Sequence, residues 1–176
     1  MHRFLAPALM LLAFMPGSAF SQAKPTLIIN GQQVSKASSG GMMDEADKSI
    51  LEAAKHVMEG DYRGAERIYS DILSRNDSNV EAHVQRAIVR RELKNPSGVQ
   101  SDALTAVQLA SAALQTQPRS YSLYYQRSQA LRLLGEFDKA KADLLKARKL
   151  AGGNRWSTDL QAIEMERRIA KSQIQP

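Results

Sequence analysis

The chain contains no cysteine. That excludes disulfides, a thiol nucleophile, thiolate metal sites and a lipid-bearing cysteine behind a leader. Beyond the N-terminus no stretch is apolar enough to span a membrane. No glycine-rich loop of the phosphate-cradling kind is present, and no glycine-flanked turn offers a nucleophile. Outside the first 23 residues the histidines are His56 and His83. Neither has a carboxylate at a recognisable ligand spacing, and a metal site needs several converging ligands. Each sits on a first helix of the repeat described below, where packing or a groove edge is the expected role. A long basic block is also missing: 24 Lys and Arg stand against 18 Asp and Glu, giving a formal charge of +6. Nucleic acid binding would need a larger basic surface with stacking aromatics. So mild a charge fits a solvated surface, or attraction to an acidic partner or anionic membrane surface. No cofactor, metal or catalytic residue is expected.

The N-terminus, "MHRFLAPALMLLAFMPGSAFSQA", reads as a secretory signal over residues 1–23. Arg3 supplies the positive start, and residues 4–14 form an apolar run of 11, short for a bilayer span. Pro16 and Gly17 break it. Ser21 and Ala23 are small residues where a peptidase reads, so cleavage is expected after Ala23, with Ser21 as the alternative site and an uncleaved anchor as the other reading. The chain is therefore expected to be exported, to a periplasm if the cell has one. Without disulfides, its 176 residues must be held by a core alone.

Residues 24–43 form a flexible N-terminal segment. Asn30-Gly31 is a hairpin signal between a β-branched run and Gln32-Gln33-Val34. A lone hairpin is marginal in water. The piece is thus disordered, docked on the helical body, or a strand for a partner's sheet edge. Ser and Gly enrichment over 35–41 reads as a linker. From Asp44, an N-cap candidate, the pattern turns helical, with Ile50, Ala54, Val57 and Met58 on one face. The rest of the body is all-α.

Self-comparison gives the strongest signal. Ala53, Ala87 and Ser128 are separated by 34 and then 41 residues, whereas Ala65, Ala106 and Ala140 are separated by 41 and then 34. Ile72, Ala113 and Ala147 follow the second order. Units of 34 residues with a 7-residue insertion between the helices of the middle unit reproduce both series. The insertion falls in "LKNPSGVQSDALTA", where Ser97 and Gln100 have capping-box spacing. The expectation is a second helix beginning about two turns early, near Gly98, with a longer loop as the alternative.

"GDYRGAERIY" (60–69) and "GEFDKAKADL" (135–144) share Gly, an acid, an aromatic and then Ala. The pattern resembles the tetratricopeptide repeat family. The resemblance implies a right-handed superhelix of three helix-turn-helix units over 44–153 (about 46–79, 80–120 and 121–153). It implies turn and packing roles for Gly60, Tyr62 and Ala65, and for Gly135, Phe137 and Ala140. In the middle unit it covers Ala106 and the closing Pro118, whose Gly and aromatic are expected to be lost to the insertion. The family's early aromatic is replaced by Ser49, His83 and Tyr124, and its leucine by Glu52, Arg86 and Arg127. The closing proline is replaced by Asp77 in the first unit and Gly152 in the third. Residues 154–176 supply a capping helix and tail. Ser157 is expected to cap it, Trp156, Leu160, Ile163 and Ile169 to form its buried stripe, and Glu164, Glu166, Arg167, Arg168 and Lys171 to face water. Lys146, Arg148 and Lys149 complement the dipole at a helix end.

In such repeats the first helices line a groove that binds peptides or helices. Placed on that pattern, Val84, Ile88 and Arg91 of the middle unit and Tyr125, Gln129 and Arg132 of the third line it. Those types suit a peptide or helix of acidic character. The clamp used by the family's chaperone-tail subset is not supported, since Ile50 and Ala54 occupy its places. Glu136 and Asp138, two residues apart, do not face each other as a hydrolase pair would need. The expected function is a non-enzymatic protein-interaction scaffold of the cell envelope. An envelope binder of anionic lipid or cell-wall polymer is the alternative.

Overall fold

A computed structural model describes residues 28–29, 32–33 and 45–173. The signal-like segment 1–23, the 35–41 stretch and Asp44 lie outside the described residues. β1 (Ile28–Ile29) and β2 (Gln32–Gln33) pair antiparallel, Ile28 opposite Gln33 and Ile29 opposite Gln32. The described body is α1 (Glu45–Met58), α2 (Tyr62–Arg75), α3 (Val80–Glu92), α4 (Pro96–Thr116), α5 (Tyr121–Leu133), α6 (Phe137–Ala151) and α7 (Ser157–Ser172). It is a right-handed stack of three helix pairs closed by α7.

Side-chain oxygens start four of these helices. Asp61, Asn79, Asn95 and Ser120 accept from the backbone N–H of Gly64, Ala82, Gly98 and Leu123, satisfying donors that the first turn leaves without partners. A Cβ at Gly64 or Gly98 would collide with the capping side chain. The core runs between the pairs as three clusters. Ile50, Ala53, Ala65 and Tyr69 join α1 and α2 to α3 through Ala82 and Val89. Val84, Ala103, Ala106, Ala110 and Ala130 join α3 and α4 to α5. Leu131, Ala140, Leu144, Trp156 and Ile163 join α5 and α6 to α7. Ala65, Ala106 and Ala140, read from the repeat as close-approach positions, are all fully buried.

The two helices of each pair meet in the same turn. Asp61, Asn95 and Glu136 donate their N–H to the carbonyls of His56, Arg90 and Leu131 at 2.8, 2.9 and 2.9 Å. Gly60, Lys94 and Gly135 donate to Val57, Arg91 and Arg132, each at 3.1 Å. This paired pattern ends a helix on a left-handed residue. The φ values are 79° at Gly60, 59° at Lys94 and 77° at Gly135. The middle turn is therefore intact, with Lys94 in the glycine place and Pro96 in the place of Tyr62 and Phe137.

That finding places the insertion inside α4. α4 is indeed a long helix, 21 residues against 14 in α2 and 15 in α6. As expected, it begins about two turns earlier before Ala106 than α2 and α6 do before Ala65 and Ala140, but its cap is Asn95, in the place of Asp61, and Ser97 donates its hydroxyl to Asn95. The connection into the next pair is also unchanged, with Asn79 bonding back to Asn76 and Ser120 to Gln117. The extra turns thus lie within α4, between the start that pairs with α3 and the end that leads into α5. Alanine spacing is compatible with this. Seven residues rotate a helix by about 700°, close to two full turns, so its faces stay in phase.

The start of α7 also differs from expectation. Ser157 is its first residue and caps nothing; Trp156 precedes it at φ 59°. A left-handed bulky residue is rare, and here buried ring contacts hold it. Ile169, assigned to the buried stripe, is 40% exposed.

Lys94→Gly is expected to raise the thermal midpoint by about 2 °C, since removing a Cβ from a left-handed turn relieves about 0.5–1 kcal/mol. A lower midpoint by calorimetry would contradict the turn geometry. Amides of residues 99–103 should exchange slowly, as interior helical amides do.

Candidate functional site

Tyr125, Gln129 and Arg132 recur on one face of α5, and the structure brings all three onto the chain's own C-terminal segment. The Tyr125 ring stacks on Trp156, with centroids 5.0 Å apart and planes 19° from parallel. Tyr121 approaches the same indole at 6.3 Å. Gln129 donates to the Asp159 carboxylate at 3.4 Å. Arg132 grips Glu166 through two bonds, 2.7 and 2.6 Å, the fork geometry that makes arginine–carboxylate pairs strong and specific. The hydrogen bond to Glu166 holds the Arg132 guanidinium above its ordinary range, against its own desolvation. Burial, and then the Asp159 charge, push the Tyr125 hydroxyl up to about 12, so it is neutral at physiological pH. Lys141 with Glu164 at 3.0 Å and Arg167 with Asp138 at 2.7 Å complete the contact. Glu164, Glu166 and Arg167, expected to face water only, are thus docking residues; Arg168 and Lys171 are exposed. An aromatic, an amide and a guanidinium on α5 hold an amphipathic helix by its acidic side, while Leu160 and Ile163 pack beneath.

The middle-unit positions separate. Val84 is buried in the core between α3 and α5. Ile88 is half-buried against the same cluster. Arg91 is open, its side chain 54% exposed and its carboxylate contact the adjacent Glu92 at 3.4 Å.

Sequence reasoning left Arg86 and Arg127 unexplained where the family pattern has leucine. Each forms the same construction. Arg86 donates to both Asp102 oxygens at 2.9 and 2.7 Å and to Ser70 at 3.1 Å. Arg127 donates to both Asp143 oxygens at 2.6 and 2.8 Å and to Ser111 at 3.0 Å. Each guanidinium ties the second helix of its own pair to that of the preceding pair. Asp102 also receives Arg90 at 2.9 Å and His83 at 3.2 Å. The second nitrogen of His83 meets the Asp77 carbonyl at 2.9 Å, so His83 is a bonded interior histidine. His56 meets the α2 cap Asp61 at 2.8 Å. Among the described residues no three His, Asp or Glu side chains are grouped to hold a metal ion. Glu136 pairs with Lys139 at 3.1 Å.

No protein-family model matches the chain. Among solved structures it is similar to the first TPR domain of human RPAP3, at 22% identity over 74% of this chain and 97% of that one, with a TM-score of 0.51. It is also similar to the type III secretion translocator chaperone SycD of Yersinia enterocolitica, at 11% identity over 76% of this chain and 97% of that one, with a TM-score of 0.50. The fold is that of tetratricopeptide repeat domains.

Tyr125→Ala should cost about 2 kcal/mol and shift the emission of Trp156, the single tryptophan, to longer wavelength as water reaches it. Burial raises the Asp102 pKa, but bonds from Arg86 and His83 and the charges of Arg86 and Arg90 outweigh it and leave it lowered. A lowered folded-state pKa stabilises above the unfolded value of about 3.9 and loses that contribution as pH falls through the folded value. Asp102→Asn should therefore destabilise by about 3 kcal/mol at neutral pH and show a shallower loss of stability below about pH 4. Urea midpoints across that range measure both.

Proposed function

We propose that the protein is a non-enzymatic interaction scaffold of the cell envelope, exported to the periplasm. It holds a peptide or helix of a partner protein along the inner face formed by the first helices of its repeats. The observation that carries this reading is α7 on α5. The positions singled out for partner recognition already grip a helix, through ring stacking, an amide bond and a two-point ion pair. The equivalent face of α3 carries Val84, Ile88 and Arg91: α5 covers Val84 and packs beside Ile88, and Arg91 is left open at its edge. Acidic character in the partner follows from the guanidinium chemistry, as it does for Asp159 and Glu166.

Photo-cross-linkers placed at Ile88 and Arg91 in living cells are expected to trap one discrete partner, identified by mass spectrometry, that a cross-linker at exposed Leu104 does not trap. Equal capture at all three positions would sink the groove reading. If instead the basic charge recognises anionic lipid or cell-wall polymer, binding to anionic vesicles or isolated wall should be strong at low salt. It should then collapse near about 0.15 M, where screening acts within about 8 Å.

A further inference from the structure

The two extra turns of α4 leave a step in the repeat stack. At the first junction Leu93, which follows α3, packs against the same cluster as Tyr62, the first residue of α2. At the second junction the corresponding Leu134 packs into the cluster that holds Ala103, two turns into α4. The first turns of α4 project beyond the α5–α6 turn. Beneath this overhang lies a cavity of about 660 Å³ between the α3–α4 turn and the end of α5, within the size range of ligand pockets.

Its walls divide by chemistry. Pro96, Val99, Leu133 and Leu134 give an apolar floor. Arg91 and Lys94 stand over it, and no carboxylate belongs to the lining. Arg91 holds only the exposed contact with its neighbour Glu92, a kind of pair worth little. Lys94 makes no salt bridge among the described residues. The start of α4, with its partial positive charge, lies on the same wall. Lys94 also sits in the left-handed place filled by glycine at the two other turns. A non-glycine residue at such a position carries backbone strain, which clusters at ligand clamps and switch regions.

We propose that this step is a second recognition site, taking an extended segment of a partner protein that carries one large apolar side chain flanked by carboxylates. The apolar side chain fills the floor, and the carboxylates meet Arg91 and Lys94. The proposal rests on reading the protein as an interaction scaffold. It adds a site that the seven-residue insertion creates and that a regular stack of 34-residue units would lack.

A displayed library of random octapeptides, selected on the immobilised full chain, tests it. Enriched peptides are expected to place Asp or Glu within two positions of Leu, Ile, Phe or Met. A fluorescein-labelled winner should bind by anisotropy and lose affinity about tenfold or more in Arg91→Glu. It should also weaken in Lys94→Gly, which removes the cation while relaxing the backbone, and in Val99→Asp. The same winner with Lys in place of its acids should bind Arg91→Glu better than the parent chain. Enrichment without an acidic preference, or no enrichment, overturns the proposal. Winners that ignore these substitutions but are lost in Ile88→Glu would overturn the step site while leaving the groove reading standing. Self-association in sedimentation, abolished by Val99→Asp, would assign the step to a second copy of this chain and also overturn it.

Discussion

Seven residues advance an α-helix by about 10 Å while turning its faces through only about 20° short of two full rotations. Most of what is particular to this molecule depends on that near-coincidence. An insertion of five or nine residues would have rotated the buried alanines of α4 away from one of its two neighbours. Seven lets α4 serve both. Toward α3 it keeps the register counted from its start, so that Asp102 meets Arg86 sixteen residues back, as Asp143 meets Arg127. Toward α5 it keeps the register counted from its end, so that Ser111 meets Arg127 as Ser70 meets Arg86. One helix carries two registers, and the displacement between them is the step beneath its first turns.

The arginine constructions show how a departure from the family pattern is made compatible with packing. Leucine at those positions would contribute by burial alone. A guanidinium there has to be neutralised and bonded, because a partly desolvated charge without partners costs several kcal/mol. Asp102 and Asp143 neutralise, and Ser70 and Ser111 take a remaining donor. The arrangement spans two second helices as well as the first helix that carries the arginine, so it fixes the relative height of successive pairs. Apolar contacts between alanine faces tolerate sliding by a turn; a two-point ion pair does not. This accounts for a stack that stays in register although its middle unit is longer than the others.

How much was legible in the sequence follows from the same physics. Period and fold class were readable because Ala53, Ala87 and Ser128, and Gly60 and Gly135, are required by close approach and by turn geometry. The extra turns of α4 were readable too, since small residues stay in phase across them, but the intact turn capped by Asn95 was not. A readable signal did exist. Asp61 and Asn95 lie 34 residues apart, as do Gly64 and Gly98, and both pairs mark helix starts. Lysine in a glycine place hid the middle turn from a motif search. The contacts of α5 were not legible: Tyr125, Gln129 and Arg132 read as a groove for a partner's peptide or helix, and nothing in their spacing says that they meet Trp156 and α7.

That last point bears on how an interaction surface and a cap are related. A repeat stack exposes an unpaired helix face at its end, and some element has to cover it. Here the covering helix is held less by a continuous apolar seam than by an indole on a phenol ring and a carboxylate in a guanidinium fork, with Leu160 and Ile163 beneath. A purely apolar cap would have left α5 with an anonymous greasy face. The polar arrangement adds specificity, because α7 brings a carboxylate to Arg132 and the residue before it brings an aromatic to Tyr125. The end of the stack is therefore closed by an aromatic contact and an ion pair from α5 over the apolar contacts of Leu160 and Ile163.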